Sequence, residues 1–296
     1  MPDFESHSAS AESRLLTRRK FLRGATASAF VATGLTGAYE WHYEGDRLVV
    51  TRADVHLPHW PREADGLRIG QLSDFHADYD HAVKRTSRAV AMLLREKPDI
   101  VLVTGDYVTS HYTRRLLAPT IDALKPLNEV PRGTYAVMGN HDHWGSNAQI
   151  ATRLLRNAGI TVLNNASVAI AGVPGAYIVG VDDPWCDKMD LDKALHRVPK
   201  HAPKLIAMHE PDFADVVGEG FDLQLSGHSH GGQIRVPGLP VIYVPGYSRQ
   251  YPEGLQQAKN HLVYTTRGIG MVGPQVRVFC PPEVTLLTIR ISPAPA

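Results

Sequence analysis

Five short apolar runs in this chain each stop at residues able to bind a metal ion. Ile69-Gly70-Gln71-Leu72-Ser73 leads into Asp74-Phe75-His76, and Val101-Leu102-Val103-Thr104 leads into Gly105-Asp106. Tyr135-Ala136-Val137-Met138 leads into Gly139-Asn140-His141-Asp142. Leu205-Ile206-Ala207-Met208 ends at His209, and Leu223-Gln224-Leu225-Ser226 ends at Gly227-His228-Ser229-His230. Imidazole, carboxylate and amide oxygen form a mixture suited to Zn, Mn or Fe rather than to Ca or a thiolate cluster. The seven donors Asp74, His76, Asp106, Asn140, His209, His228 and His230 are too many for one catalytic ion that keeps an open position. They fit two divalent transition-metal ions sharing one carboxylate.

Any one of these pieces is a weak signal, because a lone Asp-x-His or a Gly-Asp at a strand end is usually a turn or a satisfied core residue. Their conjunction is strong: the pieces follow one another at separations of 32, 34, 69 and 19 residues between Asp74, Asp106, Asn140, His209 and His228. What could gather them is a sheet, since the carboxyl ends of strands in α/β proteins converge on one crevice. Strands are expected at Leu67–Ser73, Ile100–Thr104, Thr134–Met138, Tyr177–Val181, Leu205–Met208, Leu223–Ser226, Leu262–Thr266 and Val284–Ile291. Helices are expected near 81–96, 114–125, 147–157, 190–197 and 212–217. Short continuous apolar strands with helices between them indicate a buried sheet flanked by helices. The stretch 237–258, rich in Pro, Gly, Tyr and Gln, reads as a long surface loop.

Composition limits the partners. With 43% hydrophobic and 21% charged residues the chain is an ordinary globular one. Residues 1–38 hold five basic and three acidic side chains, so the rest carries 26 against 27, a net −1. That argues against a broad nucleic-acid-binding face, and no nucleic acid is expected as partner. Cys186 and Cys280 have no metal-type spacing and are expected as free thiols, with a single disulfide as the alternative. Arg18-Arg19 precedes Phe21-Leu22 and a 15-residue weakly apolar run, Gly24 to Ala38, too short to span a bilayer. This resembles a twin-arginine signal and implies export by that machinery to the periplasm or another extracytoplasmic site. Cleavage near Thr36-Gly37-Ala38 and a membrane-held N-terminus both stay open. The expected layout is therefore a signal region at 1–38, an N-terminal strand and linker at 39–65, and a catalytic domain at 66–296.

The blocks Asp74-Phe75-His76, Gly105-Asp106, Gly139-Asn140-His141-Asp142, His209 and Gly227-His228-Ser229-His230 resemble the calcineurin-like metallophosphoesterase family over roughly residues 66–291. Gly231-Gly232-Gln233, Thr266-Arg267-Gly268-Ile269-Gly270 and Arg277-Val278-Phe279-Cys280-Pro281-Pro282-Glu283 are similar to its exported bacterial YkuE/YaeI-like branch. The resemblance implies an α/β fold, a two-sheet sandwich flanked by helices in four αββα layers. It implies that Asp74, His76 and His230 hold one ion, that Asn140, His209 and His228 hold the other, and that Asp106 bridges them. His141 would face the substrate as the catalytic residue, with Asp142 orienting its ring.

Two such ions acidify a water between them and clamp phosphoryl oxygens for in-line attack. Two divalent cations against two carboxylates leave the site positive, so it attracts phosphate without a basic surface. The expected reaction is hydrolysis of a phosphodiester or pyrophosphate bond in a small-molecule, lipid or cell-envelope substrate. A nucleotide phosphodiesterase or a broad phosphomonoesterase is the alternative within enzymes; a non-catalytic scaffold is disfavoured by the full ligand set. Tyr107 to Tyr112, His143-Trp144, Asp182 to Asp187 and the 237–258 loop are the candidate pocket walls.

Overall fold

The computed structural model describes residues 44–292, so the twin-arginine segment lies outside the described residues. The strands are β1 (Val49–His56), β2 (Arg68–Leu72), β3 (Ile100–Val103), β4 (Thr134–Ala136), β5 (Thr161–Val162), β6 (Ala166–Ala169), β7 (Tyr177–Gly180), β8 (Lys204–Ala207), β9 (Leu223–Ser226), β10 (Gly254–Gln257), β11 (Leu262–Thr265) and β12 (Glu283–Arg290). They form two six-stranded sheets, ordered β1-β12-β2-β3-β4-β5 and β10-β11-β9-β8-β7-β6. Both sheets are mixed: β2 to β5 run parallel while β12 is antiparallel to β2, and β7, β8, β9 and β11 run parallel between antiparallel β6 and β10.

The continuous apolar runs have a simple cause: alternate residues of each inner strand face two different apolar layers. In β3, Ile100 and Leu102 pack with Leu205, Leu225 and Tyr264 between the sheets. Val101 and Val103 pack outward against Ala89, Leu93, Leu117 and Ile121. On the other sheet Leu205 and Ala207 join the inter-sheet core, while Ile206 and Met208 meet Ala194, Phe221 and Leu195 on the outside. Two sheets with helices on both outer faces give the four-layer sandwich expected from the sequence.

The helix Asp80–Arg95 buries Ala82, Thr86, Ala89, Val90 and Leu93, a stripe at three- and four-residue spacing, with Asp80 and Arg95 at the ends the helix dipole favours. Burying a side chain such as Leu93 contributes about 1.5–3 kcal/mol, and its position fixes the sheet beneath. The further helices Leu117–Leu124, Ala148–Asn157 and Leu191–Leu195 fall where the pattern indicates. The stretch 212–217 is only a 3-10 turn, Pro211–Asp215, its first position taken by a proline.

Three further differences bear on the edges. Strands β5 and β6 are partly exposed and lack a continuous apolar run, and Gly254–Gln257 of the proline-rich loop becomes β10 by pairing antiparallel with β11. Strand β1, from the N-terminal segment, pairs in parallel along all eight residues with β12 and so becomes part of the first sheet. No helix among the described residues is long and apolar enough to cross a membrane. Gln71, buried on β2, donates to Thr104 Oγ1 (3.1 Å) and to the Ser226 carbonyl on the opposite sheet (2.9 Å). That bond fastens the two sheets together next to the ends where the metal-binding residues lie.

Candidate metal centre

Three of the strand ends, those of β2, β3 and β9, enter the cluster through backbone kinks. Asp74, His76, Asp106, His228 and His230 all have positive φ, between 39° and 70°. Asp and His are enriched among the few side chains found there, yet the conformation still costs free energy that the surroundings must offset. The kinks turn the chain back at the strand end, so that carboxylates and rings point at one another across the sandwich.

Close approach also demands small residues. A Cβ on Gly227 would collide with Ser73 Oγ and Asp74 Oδ2, and one on Gly139 would collide with Asp106 Oδ1 and approach His209 Cδ2 to 2.9 Å. The glycines let the β9 end come within reach of Asp74 on the other sheet and the β4 end within reach of Asp106 on the neighbouring strand.

Within the cluster, Asp74, His76 and His230 have ligand atoms within 4.8 Å of one another, as do Asp106, His209 and His228. His76 Nε2 lies 3.2 Å from His230 Nε2 and 3.4 Å from Asp106 Oδ2. His209 Nε2 lies 3.1 Å from the same Asp106 oxygen and 3.9 Å from Asp74 Oδ1. Asp106 is therefore the carboxylate common to both halves. Asn140 is buried beside it, and neither its amide oxygen nor its amide nitrogen has a hydrogen-bond partner. An unpaired buried oxygen is costly, and a cation beside the Asn140 amide oxygen would satisfy it. His230 Nδ1 has no partner, and His209 Nε2 faces only carboxylates. The donor set fits divalent transition-metal ions, as the sequence pattern leads one to expect.

Three of the rings are aimed by a bond to the other nitrogen. His76 Nδ1 is held by Thr109 Oγ1 (2.8 Å), His209 Nδ1 by the Thr104 carbonyl (2.5 Å) and His228 Nε2 by the Gly246 carbonyl (2.9 Å). Such outer partners decide which nitrogen faces the metal and raise its basicity. The sequence offered no sign of Thr104 or Gly246, since a carbonyl belongs to every residue. Arg277, fully buried, donates to the carbonyls of His230 (3.3 Å), Arg267 (2.7 Å), Gly270 (2.7 Å) and Cys280 (3.1 Å), and so braces the segment behind His230. Cys186 and Cys280 are both free thiols.

The electrostatics follow from burial and from Asp106. Burial pushes His228 down to about 3, with the nearby His209 adding to the effect, and burial also holds His230 well below the ordinary histidine value. Both rings are then neutral, the form that binds metal. Burial works against the charge on His209, but Asp106 and Asp74 outweigh it and hold the ring well above its usual range. Burial opposes the charge on Asp106 too, yet His209 and His141 keep that carboxylate well below its ordinary value. The His209–Asp106 ion pair is the arrangement a divalent cation would replace.

His141 joins the cluster, with His76 and Asp106 within the same 4.8 Å span. Its ring is oriented by the Thr109 carbonyl on Nδ1 (2.8 Å), and Asp142 takes no part in that. The expectation that Asp142 fixes the His141 ring is thus corrected. Residues 140–144 are a short helix, and consecutive residues of a helix do not face each other. Asp142 stands three residues after Gly139 and folds back to accept its N–H (3.0 Å), as an acidic residue in a helix's first turn commonly does. The same carboxylate accepts the N–H groups of Asp106 (2.9 Å) and Tyr107 (3.1 Å). It ties the loop bearing Asp106 to the helix bearing Asn140.

Three of the expected walls, His143-Trp144, Asp182 to Asp187 and the 237–258 loop, meet around this cluster. Trp144 stacks edge-on to His141 (5.1 Å between centroids) and to Trp185 (4.8 Å); Trp185 in turn meets His228 and Tyr247. His143 Nε2 lies 2.8 Å from Asp182, joining the helix to the loop that carries Trp185. Tyr107 lies wholly in the core against Phe75, so it is removed from the list of substrate contacts.

Comparison with known proteins agrees with this arrangement. The calcineurin-like phosphoesterase family profile matches residues 67–232. The chain is 30% identical to the uncharacterized metallophosphoesterase YkuE of Bacillus subtilis, covering 93% of this chain and 98% of that one. It is 32% identical to the phosphodiesterase YaeI of Escherichia coli, covering 93% and 100%, and 28% identical to the UDP-2,3-diacylglucosamine pyrophosphatase LpxG of Chlamydia trachomatis, covering 91% and 98%. The chain belongs to the calcineurin-like phosphoesterase family, the metal-dependent hydrolases of phosphoric ester bonds.

Proposed function

We propose that this chain is an exported phosphoesterase that hydrolyses a phosphodiester or pyrophosphate bond of a lipid or cell-envelope molecule with two divalent metal ions. The observation that carries the reading is the set of buried carboxylates and imidazoles gathered around one shared carboxylate, Asp106, with the unpartnered Asn140 amide among them. Asp74, His76 and His230 would hold one ion, Asn140, His209 and His228 the other, and Asp106 both. Ions held there supply Lewis-acid binding of phosphoryl oxygens and a water acidified to near-neutral pKa. Relatives named phosphodiesterase and diacylglucosamine pyrophosphatase support the choice of bond and of a lipid-related substrate. Export rests on Arg18-Arg19 and the short apolar run behind it.

The protein's own part in the chemistry falls to His141. With Nδ1 committed to the Thr109 carbonyl, the neutral ring turns a lone pair on Nε2 toward the cluster. Burial lowers its proton affinity, while a bound phosphate dianion or monoanion restores it by opposite charge. The ring then donates to the leaving oxygen or to a phosphoryl oxygen as charge develops. Trp144, edge-on to the ring, restricts its swing.

The test is elemental analysis of the purified protein together with hydrolysis of bis-p-nitrophenyl phosphate and p-nitrophenyl phosphate before and after chelation. Close to two transition-metal ions per chain, diester turnover lost on chelation and regained with Mn or Zn, is the expected result. Turnover that survives complete removal of metal overturns the reading.

A further inference from the structure

A cavity of about 340 Å³ adjoins the metal cluster at Ser229 and His230. Its walls are Ile234, Ile242, Tyr243, Pro245, Val272 and Pro274. Two of the polar side chains beside them, Gln233 and Ser229, are already engaged. Gln233 donates to the carbonyls of Val272 (3.1 Å) and Pro274 (2.9 Å) and accepts the N–H of Val272 (3.0 Å), while Ser229 Oγ accepts the N–H of Gly231 (3.0 Å). Beyond His230 and the Tyr243 hydroxyl, a sugar or nucleobase in this cavity would find few side-chain partners for the hydration it loses, whereas a hydrocarbon has none to lose. The apolar character continues outward, where Val236, Leu239, Ile242 and Tyr243 lie exposed, Ile242 at 67% and Tyr243 at 74%.

The same loop joins cavity and metal cluster. Tyr243 and Pro245 wall the cavity, and the next residue, Gly246, aims the ring of His228. A group held at the cluster and a chain lying in the cavity can therefore belong to one molecule. We infer that this cavity receives the hydrocarbon chain of an amphiphilic phosphate ester or pyrophosphate whose phosphoryl group sits at the metal cluster. The inference rests on the phosphoesterase reading and names its substrate class. At ~30 Å³ per water-sized group, the cavity holds on the order of ten methylenes.

The experiment uses the metal-loaded full chain and alkyl p-nitrophenyl phosphate diesters from methyl to dodecyl, each below its micelle concentration. The expected kcat/KM rises about two- to fourfold per methylene, the range for a partly to fully buried CH₂, and levels off near ten carbons. Val272→Trp, which fills the cavity, and Ile242→Asp, which charges its mouth, should each reduce the decyl-to-methyl ratio of kcat/KM at least tenfold. Calorimetry of decyl phosphate against methyl phosphate reads the cavity without turnover, and decyl phosphate should bind more tightly except in Val272→Trp. A chain-length-independent kcat/KM overturns the inference, as does a steep dependence that both variants retain. A thymidine p-nitrophenyl diester preferred over the decyl ester overturns it too. If no ester is hydrolysed but decyl phosphate still binds tightly and Val272→Trp removes that binding, the cavity stands as a hydrocarbon site and the hydrolytic reading falls.

Discussion

Asp142→Asn separates positioning from catalysis. The wild-type carboxylate accepts three backbone N–H groups, from Asp106, Tyr107 and Gly139. An asparagine in its place keeps one oxygen, best spent on the Asp106 and Gly139 N–H groups that share Oδ2, and turns an NH₂ toward the N–H of Tyr107. One charge-assisted bond is lost and a buried donor is left facing another donor, which together cost roughly 2–5 kcal/mol. For a domain of this size that lowers Tm by on the order of 10 °C. The loop holding Asp106 loosens with it, so metal content should fall along with Tm. Residual activity per bound metal should show no special dependence on the leaving group, because the His141 ring keeps its Thr109 partner. Differential scanning calorimetry with and without chelator, elemental analysis, and turnover of alkyl and nitrophenyl esters read all three. Wild-type Tm and metal content combined with a selective loss on alkyl esters would refute the reasoning and return Asp142 to the ring of His141.

Asp106→Ala should lose affinity at both metal positions and Asn140→Ala chiefly at one; elemental analysis finding a single ion that survives Asp106→Ala would exclude a shared carboxylate. His141→Ala should keep its metals while turnover falls roughly 10²- to 10⁴-fold, more for alkyl than for nitrophenyl leaving groups. Loss of metal in that variant would make His141 a ligand. Gly227→Ala drives a methyl into Ser73 and Asp74, so metal content and activity should drop together, and a fully loaded, active variant would contradict the close approach. Replacing Arg18 and Arg19 by lysine should leave the folded protein in the cytoplasm, as cell fractionation would reveal; undiminished export would rule out the twin-arginine reading.

Much of the site is legible in the sequence because the information is local. A strand buried on both faces must be apolar at successive positions, so polar residues can appear only where it ends, and the ends of neighbouring parallel strands meet. Asp74, Asp106, Asn140, His209 and His228 stand at such ends, and their order along the chain suffices to suggest one cluster. The strands β5, β6 and β10 were not legible for the converse reason. They are not buried on both faces, carry no continuous apolar run, and owe their conformation to the neighbour they pair with.

The sequence by itself thus determined which donors exist, in what order, and that a two-layer sheet sandwich with helices outside could bring them together. The tertiary structure decided how each donor is aimed. His209 is held by the carbonyl of Thr104, 105 residues away, and His228 by the carbonyl of Gly246, a group that carries no residue-type signal. Adjacency misled for His141 and Asp142, because a helix turns neighbouring residues about 100° apart. One of them then faces the cluster and the other binds the backbone beneath it. The cavity beside His230 is likewise assembled from segments near 234, 243 and 273, whose common apolar character becomes a site only when the fold sets them against one another.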